Sequence, residues 1–228
     1  MTETVLITGA SRGSGLDIVR QYAAGGATVI AACRNPDGAA GLKEIRGSVE
    51  PVRMDVGSDR EVADAAAKLK DRTIDVLINN AGIYGPRDTS FSHVDYDAWT
   101  EVLKINGMAP LRVTQHFADH VARSKNGRVA TVSSLMGSVG DNTSGGGYIY
   151  RSSKAMVNQV MRSVSFDLRD RGVVVVVLHP GWVQTDMGGP NAAISPEDSA
   201  SGLRAVIDGL RAGDSGRFFN YDGRELPW

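Results

Sequence analysis

Thr4-Val5-Leu6-Ile7-Thr8-Gly9-Ala10-Ser11-Arg12-Gly13-Ser14-Gly15 runs from a short β-branched apolar segment into a glycine-rich turn. The apolar segment has the character of a buried strand. Beyond the turn, Leu16, Ile18, Val19 and Tyr22 recur at helical spacing until Gly25-Gly26 stops the helix. A strand–turn–helix of this kind aims backbone N–H groups and the positive end of a helix dipole at one point, which suits a pyrophosphate. Glycine is needed there because a Cβ would block the close approach. Gly9, Ser11, Arg12, Gly13, Ser14 and Gly15 are therefore candidate cofactor-binding residues. The spacing is Gly-x-x-x-Gly-x-Gly, not Gly-x-Gly-x-x-Gly.

The same alternation continues along the chain. Hydrophobic patterning predicts strands over 3–8, 27–33, 49–54, 74–79, 127–133, 173–179 and 216–219. It predicts helices near 13–24, 37–46, 58–71, 97–123, 148–171 and 197–211. Alternating strands and helices imply an α/β protein: a single-domain Rossmann fold over 1–228, with a doubly wound parallel sheet of about seven strands and helices on both faces. Val173 to Leu178 is apolar on both faces, as in a central strand. The irregular stretches 83–96 and 185–197 follow strands. They belong at the carboxyl edge of the sheet, where ligands bind in open α/β folds, and the second marks a short substrate-loop region.

Composition narrows the function classes. The 228 residues are 42% hydrophobic with a formal net charge of −1. That charge argues against nucleic acid or an anionic membrane as a partner. The single cysteine, Cys33, closes an apolar run and reads as buried and inert. His116 and His120 stand four apart with no obvious acidic third ligand, so they read as a solvated helix face and no metal site is expected. No leader peptide is visible and no apolar run approaches the roughly 20 residues that span a bilayer. A cytoplasmic protein is expected.

Tyr150 and Lys154 stand four apart at the start of the 148–171 helix, hence on one face. A free phenol titrates near pH 10 and transfers protons poorly at neutral pH. A neighbouring ammonium favours the phenolate and tunes the group for proton transfer. Tyr148 has no lysine four residues on, so Tyr150 is preferred.

Together with Asp55-Val56, Asn79-Asn80-Ala81-Gly82, Asn106, Val132-Ser133-Ser134 and Pro180-Gly181-Trp182-Val183-Gln184-Thr185, these motifs resemble the short-chain dehydrogenase/reductase family, in the expected order over essentially the whole chain. Within it, the chain is most similar to the branch that holds the carbonyl reductase sniffer and the C-factor proteins. The resemblance implies a catalytic set of Asn106, Ser134, Tyr150 and Lys154. Tyr150 would protonate the carbonyl oxygen as hydride arrives, and Lys154 would lower the phenol pKa and bind nicotinamide-ribose hydroxyls. Ser134 would hydrogen-bond the substrate oxygen. Asn106 would hold a water that links Lys154 to solvent. The family's serine usually lies thirteen residues before its tyrosine, where this chain has Gly137. Ser134 fits better as the end of a strand closing on paired serines, with three extra residues in the loop. Ser138 is the alternative.

Among cofactor residues, the resemblance implies Asp55 and Val56 at the adenine, Asn80, Ala81 and Gly82 at the adjoining ribose, and Pro180, Gly181, Val183 and Thr185 at the nicotinamide. Asn79 would brace the sheet. NAD-dependent relatives place an acid after the second strand for the ribose 2′-hydroxyl. Here that strand ends in Cys33-Arg34 with no acid before Asp37. Arg34 offers a fork for a 2′-phosphate, and Arg12 a second positive charge, so NADP(H) is the expected cofactor.

The expected activity is reduction of a small-molecule ketone or aldehyde, reversible as alcohol oxidation. The alternative is a nucleotide-binding signalling protein acting through protein interaction. Leu135, Met136, Tyr84, Trp182 and Met187 are candidate pocket residues. No arginine or lysine clearly joins them, which argues against a carboxylate or phosphorylated substrate. A homodimer or homotetramer is expected, through helices 97–123 and 148–171. The second offers an apolar stripe of Met156, Val160, Ser163 and Val164.

Overall fold

A computed structural model describes residues 2–228. Seven parallel strands form one sheet in the order β3-β2-β1-β4-β5-β6-β7. They are β1 (Thr4–Thr8), β2 (Thr28–Cys33), β3 (Ser48–Arg53), β4 (Val76–Asn79), β5 (Arg128–Val132), β6 (Val174–His179) and β7 (Phe218–Asn220). The helices are α1 (Gly13–Ala24), α2 (Ala40–Lys43), α3 (Asp59–Lys68), α4 (Tyr96–Leu103), α5 (Ala109–Ala122), α6 (Tyr148–Asp167) and α7 (Pro196–Asp208). The order reverses between β1 and β4, which opens a crevice at the carboxyl edge.

Successive strand residues feed opposite layers. Leu6 joins the core beneath α3, α5 and α6, whereas Val5 and Ile7 join the core beneath α1, α2 and α7. Val175 and Val177 of β6 point to the first layer, Val176 and Leu178 to the second. That two-residue period, with both faces covered, explains why these strands are apolar throughout. The outermost β3 is half-exposed and contains Pro51, tolerated because β3 pairs only with β2.

Several expected elements differ in extent. The 37–46 helix shrinks to the single turn of α2, since Pro36 and Gly38 hold the preceding residues in turns. The 97–123 helix is interrupted by a π-helical turn over Lys104–Met108. Pro110 has no N–H to offer the Asn106 carbonyl four residues back, and the chain widens there. The 148–171 helix ends at Asp167 and continues as a 3₁₀ turn over Arg169–Arg171. His120 is 6% exposed, with Nε2 3.2 Å from the Ala66 carbonyl oxygen. It is a core residue and not part of a solvated face, whereas His116 meets Asp59 at 3.2 Å. Val164 also points inward, so it drops out of the expected outward stripe.

Candidate active site

The glycine turn is locked to the loop after β4. Thr8 Oγ1 accepts hydrogen bonds from the backbone N–H groups of Asn80 (3.0 Å) and Ala81 (3.1 Å). Asn80 Nδ2 donates back to the carbonyls of Thr8 (3.0 Å) and Gly9 (3.3 Å). Gly9 has φ +65°, and a Cβ there would lie 2.8 Å from Ala81 Cα. Glycine is thus required by both conformation and space. Helix α1 begins with no side-chain cap and no acidic residue in its first turn. Its N–H groups are left to an anionic ligand, so the turn fits a dinucleotide pyrophosphate.

Arg34 follows β2 and Arg12 precedes α1, and both are exposed. Arg12, Arg34 and Arg87 stand outside every ion pair among the described residues. Asp55 Oδ1 accepts from Gly57 N (2.9 Å), and Val56 is 8% exposed. Asn79 Nδ2 donates to Thr114 Oγ1 and Thr131 Oγ1 within the sheet.

Tyr150 and Lys154 occupy the inner face of α6, both buried. Ser134, in extended conformation where β5 ends, accepts from Met136 N through Oγ at 3.2 Å and lies close enough to the Tyr150 phenol to act on it. Burial pushes the phenol up to about 12, and the nearby Ser134 hydroxyl pulls against that. Lys154 adds no downward pull on the phenol in this arrangement. The Lys154 ammonium donates to the Val132 carbonyl at 3.0 Å and sits 5.7 Å from the Tyr150 ring centroid. Burial lowers Lys154 to about 8. His179, at the end of β6, is lowered to about 4 by burial and is therefore neutral near Lys154.

The other serines are engaged elsewhere. Ser133 Oγ donates to Asn158 Oδ1 at 2.6 Å, and Ser138 Oγ to the Trp228 main-chain carbonyl at 2.8 Å. A Cβ on Gly137 would lie 2.7 Å from the main-chain carbon of Lys154. The loop packs directly on α6 there, which leaves no room for a serine.

Asn106 lies in the π-helical turn with its side chain fully committed. Nδ2 donates to the Ile83 carbonyl (2.8 Å) and Ser153 Oγ (3.0 Å), while Oδ1 accepts from Ile83 N (2.9 Å). Gly82 sits between Asn106 and Lys154: a Cβ there would be 3.2 Å from Asn106 Oδ1 and 3.8 Å from Lys154 Nζ.

The segment after β6 faces the glycine turn, because a Cβ on Gly13 would lie 3.8 Å from Thr185 Cγ2. Gly181 takes φ +82°, Val183 bridges Ile194, and Pro180 O accepts from Ser199 Oγ at 2.6 Å. Thr185 Oγ1 accepts from Gly188 N (3.2 Å). Tyr84 stacks on Tyr150 with centroids 4.5 Å apart and 21° between planes. Trp182 is 55% exposed and its indole donates to the Gly188 carbonyl. One residue overturns the reading of a cation-free pocket. Arg87 lies over the Tyr84 ring at 4.7 Å and donates to the Met187 carbonyl at 2.6 Å. Neither this arginine nor the bracing role of Thr8 carried any sequence signal.

A site of this construction defines a class, the nicotinamide-dependent oxidoreductases of the Rossmann type. Residues 3–194 match the short chain dehydrogenase family model, and the chain belongs to that family. It is 51% identical to C-signal of Myxococcus xanthus over 155 residues, 68% of this chain and 93% of that protein. An NADPH-bound carbonyl reductase from chicken fatty liver superposes with a TM-score of 0.92 at 32% identity, covering 100% of this chain and 99% of that one. The carbonyl reductase Sniffer of D. melanogaster does so with 0.91 at 30% identity, covering 100% of both chains. These likenesses place the chain in the branch of the sniffer and C-factor proteins.

Proposed function

We propose that the chain is an NADP(H)-dependent carbonyl reductase: a single dinucleotide-binding domain that reduces a ketone or aldehyde to an alcohol, reversibly. When bound, the nicotinamide supplies hydride. The chain's own residues manage the proton and the geometry. Tyr150 Oη delivers the proton to the carbonyl oxygen as general acid. Ser134 Oγ orients that oxygen and stabilises charge developing on it. Lys154, being cationic at neutral pH, offers N–H donors to ribose hydroxyls and draws the phenol toward ionisation once a ligand brings the groups into register. Asn106 anchors Ile83 through its side chain. Its main-chain carbonyl, which Pro110 cannot donate to, is the acceptor we assign to a water linking Lys154 with solvent. The glycine turn, Asn80, Ala81 and Gly82 hold the dinucleotide. Asp55 and Val56 border its adenine, Arg12 and Arg34 its 2′-phosphate, and residues 180–185 its nicotinamide end.

The observation that carries this reading is the buried pair on the inner face of α6, Tyr150 and, one helical turn on, Lys154 with its ammonium 5.7 Å from the Tyr150 ring centroid, beside Ser134 at the end of β5. A protein acting only by association has no need of a buried cation beside a phenol, so catalysis is favoured over the signalling alternative. The test is NADPH oxidation with a panel of aryl, aliphatic and cyclic ketones and aldehydes, comparing wild type with Tyr150→Phe. We expect turnover in the wild type and a loss of about 10²–10⁴-fold in the variant, with NADPH binding retained. Near-wild-type turnover in Tyr150→Phe, where chemistry limits the rate, would remove the phenol from the mechanism.

A further inference from the structure

Three residues from two loops form a column beside the proposed proton donor. The Tyr84 ring lies nearly parallel to that of Tyr150, 4.5 Å away. The Arg87 guanidinium lies 4.7 Å from the centroid of the same Tyr84 ring. An aromatic ring has two faces and Tyr150 covers one, so the order is Tyr150, Tyr84, Arg87. Arg87 also reaches across the crevice to the Met187 main-chain carbonyl, 2.6 Å away. The cation is therefore held at two points, by a π face and by one hydrogen bond.

A guanidinium carries five N–H donors in a planar fork. The Met187 carbonyl takes one of them. No carboxylate pairs with Arg87 among the described residues, although Asp88 is its neighbour in sequence. Its fork is thus oriented, charged and largely unpaired, two stacked layers from the group that would protonate the substrate. The same fork geometry matches a carboxylate with two parallel hydrogen bonds. Tyr84 and the exposed Met187 give the crevice alongside this column an apolar lining, which suits an aryl or similarly flat body.

We propose that Arg87 is a specificity-determining residue that selects carbonyl substrates bearing a carboxylate at the end remote from the reacting group. The assignment rests on the carbonyl-reductase reading and names the substrate class for that site. The bond to Met187 fixes the guanidinium plane in advance, so less freedom is lost when the anion arrives.

The test uses 4-acetylbenzoate and its methyl ester, which share an aryl ketone and differ in charge. Each is titrated calorimetrically into NADP⁺-loaded protein, where no turnover occurs, and each is assayed as a substrate with NADPH. Wild-type protein should bind the acid about tenfold or more tightly than the ester. Arg87→Met should abolish that preference, Arg87→Lys should keep part of it, and salt should weaken it. The assignment is overturned if the wild type shows no preference, including no binding of either probe, or if the preference survives in Arg87→Met. A preference for the acid in binding, without NADPH oxidation by either ketone, upholds the Arg87 assignment and counts against the proposed reaction.

Discussion

Ser134 and Ser138 lie four residues apart and face different partners. Ser134 stands beside Tyr150 at the end of β5, whereas Ser138 clamps its loop to the Trp228 carbonyl. Removal of a donor aimed at a reacting oxygen costs about 10²–10³-fold in turnover, and we expect that penalty for Ser134→Ala. Ser138→Ala should lower thermal stability while changing turnover far less. A catalytic collapse in Ser138→Ala alone would reverse the two roles. Lys154 poses a different question at the same scale. Burial places it at about 8 in the folded protein against an ordinary 10.5. Between those values the unfolded chain holds a proton that the folded chain has lost, so stability rises with pH across that window. Below pH 8 the full cost of burying the cation applies. Lys154→Met should therefore abolish turnover yet raise the melting temperature at pH 7 by a few degrees, with the gain shrinking toward pH 10. Calorimetry of both proteins at pH 7 and pH 10 checks this, and a lower melting point for the variant at pH 7 would contradict it.

At the level of elements, strand ends and helix starts converge on the crevice. Strand β2 delivers Arg34 beyond its last buried residue, and α1 starts directly after Arg12. Arg34→Asp would put a like charge against a 2′-phosphate and supply the carboxylate that a 2′-hydroxyl prefers. We expect NADPH affinity to fall by at least tenfold while NADH affinity holds or improves. Fluorescence titration of both cofactors decides it, and unchanged NADPH affinity would free Arg34 of the role. The π-helical turn shows how an element can be read correctly in outline and missed in detail. The periodicity over 97–123 is helical, and Pro110 was visible in it. Whether a proline kinks, ends or widens a helix depends on what packs against the freed carbonyl and on neighbours such as Gly107, where a Cβ would run into the Met156 side chain.

Across the whole molecule, the outer side of α6 presents the half-buried Met156 and Val160 and the exposed Ser163, and the π-helical turn presents Met108 at 48% exposure. We predict a two-fold dimer through these surfaces, since an isologous contact needs only one patch. Phe166, half-exposed, is covered from its faces by the Arg162 and Arg169 guanidiniums and bounds the apolar region. Light scattering at micromolar concentration should return twice 24.2 kDa or a higher even multiple, and Val160→Glu should shift the mass toward one chain. A wild-type mass of 24.2 kDa rejects the dimer.

The fold and the family were legible along the chain because both depend on short-range patterns. Strand–turn–helix at 4–24, the alternation of apolar runs, and the four-residue spacing of Tyr150 and Lys154 are set by local periodicity and by glycine's unique backbone freedom. The close packing of the loop on α6 at Gly137 and the tie between Ser138 and Trp228 belong to the tertiary structure alone. The inward turn of His120, the locking of Thr8 to Asn80, and the column of Tyr150, Tyr84 and Arg87 all join segments distant in sequence. Such contacts leave no periodic trace. They arise when the parallel sheet brings the carboxyl ends of separate strands to one edge, where loops far apart in sequence meet over the same crevice.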